Sequence, residues 1–169
     1  MLHVPVLYNE VLKYLNPKPG ENFVDCTLGD GGHTIGILKK NAPDGKVLAI
    51  DFDIEMIKRV IVRVSDFDLK DRLILKQGNF ANLKKIVEEN NFKNISGILL
   101  DIGMSSFHID ESGQGFSFQK DEALDMRYDR ESNLMSAEEV VNTYSEKDLE
   151  EIFREYGEER FSRHIAGKI

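Results

Sequence analysis

A chain of 169 residues with 41% hydrophobic and 31% charged side chains has the size and composition of one globular domain. Nothing in it approaches the ~20 consecutive apolar residues of a membrane-spanning helix, and the N-terminus "MLHVPVLYNEVL" lacks the basic start and cleavage site of a secretory signal. The single cysteine, Cys26, cannot form an internal disulfide, which fits a reducing cytoplasm.

The net charge of −8 is unevenly placed. Residues 1–109 carry 14 basic and 14 acidic side chains, residues 110–160 carry 6 and 16, and residues 161–169 carry two basic and no acidic groups. No broad basic patch for a nucleic-acid backbone is visible in these counts.

The first half alternates helix and strand signals. "VLYNEVLKYL" has helical apolar spacing and is stopped by Pro17, Pro19 and Gly20. "NFVDCT" reads as a buried strand, followed by a glycine loop and a helix from His33 to about Lys40. "KVLAIDFD" is a second strand, and "DIEMIKRVIVRV" a helix with Asp53 as its N-cap. "RLILKQGNF" is a third strand, "ANLKKIVEEN" a helix, and "ISGILLDIG" a fourth strand. Apolar strands separated by helices predict an α/β fold whose parallel sheet is covered on both faces. Met104 to Tyr128 then reads as loop, and from Ser136 onward only helices are predicted. Ser136 to Glu139 and Ser145 to Asp148 have capping-box spacing, and Gly157 is placed to end the second of these helices.

The loop "FVDCTLGDGGHT" carries the chemistry. Glycines let backbone approach a ligand, and the start of a helix offers unpaired N–H groups. Asp51 ends the next strand, 20 positions after Gly31, where a carboxylate can accept hydrogen bonds from both ribose hydroxyls. Those two features suit a dinucleotide equally well. The frame of the loop separates the readings, because Gly29-Asp30-Gly31-Gly32-His33 does not follow G-x-G-x-x-G and Gly36 comes one position late. Asp25, four residues before Gly29, would repel a pyrophosphate but accept a hydrogen bond from the ammonium group of S-adenosylmethionine. The competing reading is a tight strand-to-helix turn with no ligand. Against it stands a third carboxylate, Asp101, after the fourth strand, at the sheet edge where such folds bind ligands.

Six motifs occur in order: "HVPVL" from His3, "GDGGHT" from Gly29, "GILLDIGMSS" from Gly97, "GFSF" from Gly115, "LDMR" from Leu124 and "YGEERF" from Tyr156. Together they closely resemble the bacterial 16S ribosomal RNA cytosine-N(4)-methyltransferase family of the MraW/RsmH type, and the resemblance covers essentially the whole chain. It implies a class I S-adenosylmethionine-dependent methyltransferase fold, Rossmann-like, with a helical domain inserted after the fourth strand. Residues 1–103 would then be the N-terminal part of the methyltransferase domain, and residues 104–169 a loop and part of the helical insert. The implied reaction is methyl transfer to the 4-amino group of a cytosine in the decoding region of 16S rRNA, within the small ribosomal subunit in the cytoplasm.

Carried over residue by residue, the resemblance places the methyl donor against Gly31, Gly32, His33, Asp51, Phe80, Asp101 and His108. The last position departs from the family, which usually reads "SSPQLD" where this chain has Ser105-Ser106-Phe107-His108-Ile109-Asp110. His in place of Gln keeps a hydrogen-bonding group and changes its reach. The family sheet has seven strands and four are readable here, so the sheet is expected to be incomplete, the chain an N-terminal portion, and methyl transfer by this length alone absent.

Several residues carry two readings. Asp101 is a candidate catalytic acceptor for the hydrogens of the cytosine amine as well as a donor contact. Phe107, Phe116 and Phe118 either stack on a flipped-out base or anchor their loop to a core. His33 has no Cys or His partner at metal-ligand spacing, so no metal is expected. Cys26 reads as a small buried strand residue, Asp125 and Arg127 as an internal ion pair or an RNA contact, and the acidic helices as a solvated face. The rivals to an enzyme are a non-catalytic donor-binding or regulatory module and a nicotinamide-dependent oxidoreductase, the latter disfavoured by Asp25 and the loop frame.

Overall fold

The structure is a computed structural model that describes residues 5–65, 69–130 and 133–169. His3 and Val4, which open the first motif, lie outside the described residues. The chain divides into two compact units, Met1–Ser105 and Ser106–Ile169.

In the first unit four strands form one parallel sheet: β1 (Asn22–Asp25), β2 (Val47–Asp51), β3 (Leu73–Gln77) and β4 (Ile95–Leu99), in the order β3-β2-β1-β4. Register is set by Phe23 opposite Val47 and Gly97, and by Ala49 opposite Leu75. Side chains alternate across a strand, and that alternation divides the core. Phe23, Val47 and Ala49 face one layer, where they pack with Ile37 and Leu38 of α2 (Gly32–Lys40) and with Ile57, Val60 and Val64 of α3 (Ile54–Val64). Leu12 and Leu15 of α1 (Tyr8–Leu15) join this layer. Val24, Cys26, Leu48 and Ile50 face the other layer, against Phe92 and against Leu83, Ile86 and Val87 of α4 (Leu83–Glu89).

The helices end where the sequence supplies stops. Asn16 takes φ 46°, its N–H bonds Leu12 O, and Pro17 follows with no N–H to continue the ladder. Asp53 caps α3, its Oδ1 accepting from Glu55 N at 2.8 Å. The expected cover on both faces holds for β1 and β2 but not for β4, whose residues alternate between half-buried and exposed. Ile98 is 46% exposed although apolar, and it is not among the residues packed into the layer that Ile95 shares with α4.

The second unit contains α5 (Ser106–Asp110), α6 (Ala137–Thr143), α7 (Glu146–Glu155) and α8 (Ser162–Ala166). The helix α5 falls inside the stretch read as loop, since five residues are too few to generate a periodic signal. It is anchored by His108, whose ring sits edge-on to Tyr128 (4.6 Å between centroids) and Phe116 (5.5 Å). The loop to α6 is held by Asp125, which pairs with Arg127 at 2.7 and 3.0 Å and with Arg130 at 2.9 Å.

At α6 the capping box is reciprocal: Glu139 N donates to Ser136 Oγ at 3.2 Å, and Ser136 N donates to Glu139 Oε2 at 2.8 Å. At α7 the shorter Asp148 accepts instead from the Ser145 hydroxyl, at 2.6 Å. The stop after α7 differs from expectation in one detail. The left-handed residue is Glu158 (φ 49°), while Gly157 is needed for room, since a Cβ there would lie 2.7 Å from Phe153 O.

Candidate functional site

Four parallel strands bring their carboxyl ends to one edge, and the loops leaving that edge carry Gly29–His33, Asp51, Phe80 and Asp101. The glycine loop begins as a turn in which Gly31 N donates to Leu28 O at 2.8 Å. Gly29 (φ 49°) and Gly31 (φ 74°) occupy the left-handed region that glycine enters without penalty. Gly31 is the N-cap of α2 and supplies no capping side chain, so backbone N–H groups at the helix start remain available. A side chain at Gly32 would overlap the Pro5 ring, and one at Gly36 would come within 2.7 Å of Tyr8 Oη. The segment around α1 is therefore packed directly onto α2.

Asp51 fastens this loop to the next strand. Its Oδ2 accepts from Gly29 N at 2.8 Å and its Oδ1 from Asp53 N at 2.9 Å. A carboxylate oxygen has a second lone pair, so acceptor capacity for hydroxyl groups remains. His33 is buried, its ring stacked on Tyr8 with centroids 6.1 Å apart. Its Nε2 lies 3.9 Å from Asp101 Oδ2, and its Nδ1 has no hydrogen-bond partner among the described residues. Asp101 is tied to the β1 loop through its own N–H, which donates to Thr27 Oγ1 at 2.7 Å, while its carboxylate stays half exposed. Phe80 opens a short 3₁₀ turn three residues beyond β3 and is 42% exposed.

Asp25 departs from its expected role. Its side chain is fully buried; Thr34 Oγ1 donates to Oδ2 at 2.6 Å and Thr27 N donates to Oδ1 at 3.1 Å. A carboxylate at 0% exposure cannot meet a ligand ammonium in this conformation; it cross-links the strand end to the first turn of α2. Burial pushes its pKa up, against the lowering effect of the Thr34 and Thr27 hydrogen bonds and of His33 nearby. The neighbouring Cys26 thiol is pushed up to about 11, by burial first and by Asp25 second.

The sequence-predicted residues thus divide by unit. Gly31, Gly32, His33, Asp51, Phe80 and Asp101 belong to one sheet edge, while His108 lies in the second unit, buried among aromatics. Phe116 packs on His108 and Tyr128, so its role there is anchoring, whereas Phe118 is 96% exposed. Asp125 and Arg127 form the internal pair, which holds the Asp125 carboxyl below the usual carboxylate range through the Arg127 hydrogen bond. Thr27, Thr34 and Tyr8 organise the edge and were not singled out from the sequence. Thr34 stands nine positions from Asp25, a separation with no local motif to announce it. Among the described residues, no three His, Cys, Asp or Glu side chains are grouped to hold a metal ion, and no helix is long and apolar enough to cross a membrane.

A family model described as the MraW methylase family matches residues 1–169. A ribosomal RNA small subunit methyltransferase H from Syntrophotalea carbinolica is 46% identical over 167 residues, covering 99% of this chain and 52% of that protein. The protein of that name from Dictyoglomus thermophilum is 43% identical over 169 residues, covering 99% and 56%. The chain spans about half the length of the curated relatives it matches. Among solved structures, an rRNA methylase from Streptococcus thermophilus aligns over 61% of this chain and 57% of its own, with 21% identity and a TM-score of 0.47.

Proposed function

The chain belongs to the MraW methylase family, and from that premise we propose that its sheet edge holds S-adenosylmethionine for methylation of 16S rRNA in the small ribosomal subunit, at the 4-amino group of a cytosine. The observation that carries the reading is the Gly29–Asp51 hydrogen bond (2.8 Å), which joins a helix-start loop to a ribose-type carboxylate at one parallel-sheet edge. The fold is α/β, of the class I methyltransferase type, and in this reading residues 104–169 are a loop and part of a helical insert. The setting is cytoplasmic, and the reaction requires no metal.

The residues present fit the donor. The uncapped N–H group of Gly32 at the start of α2 suits a carboxylate, Asp51 keeps lone pairs for ribose hydroxyls, and the half-exposed Phe80 ring offers a face to the base. His33, next to the glycines, closes the site on the side of Asp101. S-adenosylmethionine, when bound, supplies an already activated sulfonium methyl group, so the protein's work is chiefly alignment.

The cytosine amine is a weak nucleophile because its lone pair is delocalised into the ring. Asp101, accepting one of its hydrogens, favours a pyramidal nitrogen and stabilises the positive charge that develops as the N–C bond forms and the S–C bond breaks. The proton left on the nitrogen departs to that carboxylate or to water. Thr27 fixes the backbone of Asp101, and His33 Nε2 at 3.9 Å biases the orientation of its carboxylate. The target base has to leave its stack to bring its amine to the donor methyl.

The test is incorporation of labelled methyl into small ribosomal subunits that lack the modification, using a version extended beyond Ile169 alongside this chain. Label at cytosine N4 with the extended version, reduced at least about 100-fold by Asp101→Asn, supports the reading. Label on another base, or none despite donor binding, overturns it.

A further inference from the structure

The C-terminal stretch "RFSRHIAGK" places basic groups at Arg160, Arg163, His164 and Lys168, offsets of three, four and eight residues. Arg163 and His164 lie in α8, Arg160 just before it and Lys168 just after it. The residues interleaved with them, Ser162 and Ala166, are small and buried, which lets α8 pack closely on α7 and turns the basic groups outward. Together with Phe161 and Glu146 they line a cleft of about 450 Å³, wholly inside the second unit.

Two features separate this cleft from an ordinary charged surface. First, its bases lack partners in an acid-rich setting. Residues 110–160 hold 16 acidic against 6 basic side chains, and Arg127, Arg130 and Arg154 of that stretch all form ion pairs. Arg160, Arg163, His164 and Lys168 form none among the described residues, so their charge faces the cleft uncompensated except by Glu146. Second, the cleft has an aromatic wall. Phe161 is 55% exposed, and the Arg160 guanidinium lies 4.6 Å from its ring centroid, so cation and ring are already arranged side by side. A bare anion site has no use for an exposed ring, whereas a base stacks on one at about 1–3 kcal/mol.

We infer that this cleft binds one nucleotide of single-stranded RNA, its phosphate among Arg160, Arg163, His164 and Lys168, its base on Phe161, and its 2′-hydroxyl donating to Glu146. The inference rests on the reading of the protein as RNA-directed and adds to it a place where the substrate strand is held. It also refines the reading that no broad basic patch is visible: Arg160 falls in the acidic residues 110–160 and the other three basic groups in residues 161–169, so a sum by segment divides the cluster.

The test is fluorescence anisotropy of a labelled single-stranded hexaribonucleotide titrated with this chain across a range of salt concentrations. Arg160→Gln combined with Arg163→Gln weakens binding at least about tenfold at low salt and lowers the slope of log affinity against log salt by up to about 0.7, the value for one phosphate on a single strand. Phe161→Leu weakens binding about fivefold or more and leaves that slope unchanged. Hydrogen-exchange protection of α7 stays at the parent value in both variants, which establishes that the second unit is folded, and calorimetric affinity for S-adenosylmethionine stays at the parent value as well. Parent-like RNA affinity and slope in the variants overturn the inference, as does absence of RNA binding by the parent chain. A deoxyribonucleotide hexamer, a phosphorylated peptide or anionic vesicles bound as tightly as RNA, with Phe161→Leu neutral, overturn the nucleotide assignment. The methylation assay above reads the functional proposal separately: undiminished methylation by the extended version carrying both Arg→Gln changes removes the cleft and leaves the methyltransferase standing.

Discussion

The Thr34 hydroxyl donates to the buried Asp25 carboxylate across 2.6 Å, joining the end of β1 to the first turn of α2 beneath the glycine loop. Thr34→Val keeps the shape and removes the donor, leaving a buried carboxylate with one partner fewer. The expected loss is about 1–3 kcal/mol of stability, read as a lower midpoint in urea unfolding at neutral pH. An unchanged midpoint would show that the bond contributes nothing.

Asp25 also gives stability a pH dependence. Burial raises its native pKa above the ordinary 3.8, so between that value and the raised one the native state holds a proton that the unfolded state has released. Its contribution is complete below about 3.8 and is lost as pH rises through the native value. Asp25→Asn, whose amide oxygen still accepts from Thr27 N, has a flatter profile from acid toward neutral pH. Parallel profiles for the two proteins would mean that Asp25 does not titrate abnormally.

Asp125 works with the opposite sign. Its pKa is lowered, first by the Arg127 hydrogen bond, so its contribution is present above about 3.8 and lost as pH falls through the native value. Hydrogen exchange of α6 in the intact chain should show loosening on acidification. Asp125→Asn should show the same loosening already at neutral pH; protection of α6 independent of pH and of this substitution would contradict it.

Gly32→Ala puts a methyl group into the Pro5 ring and forces the first helix segment away from α2. Overpacking of this kind costs about 1–3 kcal/mol, and because the displaced segment borders the donor loop, donor affinity falls as well. Calorimetry on the folded variant checks the second effect, and unchanged stability together with unchanged affinity would contradict the contact.

Much of this was legible in the sequence, for physical reasons that differ by element. β1 and β2 are runs of buried apolar residues between glycine and turn signals, and Asp53 and Ser136 are caps whose partners lie two or three residues on. The position of Asp51 at a strand end follows from counting along a strand. Depth does not: spacing put Asp25 near the ligand edge, and only packing shows Thr34 and Thr27 enclosing it. The solvent-facing side of β4 was also hidden, because "ISGILL" reads as fully buried when composition alone is weighed. The basic cleft was not legible because a sum of charge places Arg160 in the acidic segment and says nothing of which side chains line one cleft.

The most direct measurement is isothermal titration of the 169-residue chain and its Asp51→Ala variant with S-adenosylmethionine and, separately, with a nicotinamide dinucleotide. The parent chain should bind S-adenosylmethionine at one site and show no heat with the dinucleotide. The folded Asp51→Ala variant should bind the donor more weakly by about 1.5–3 kcal/mol, the range for hydrogen bonds to a charged group. Dinucleotide binding without donor binding, or donor binding indifferent to Asp51, would contradict the assignment of the sheet edge as a methyl-donor site.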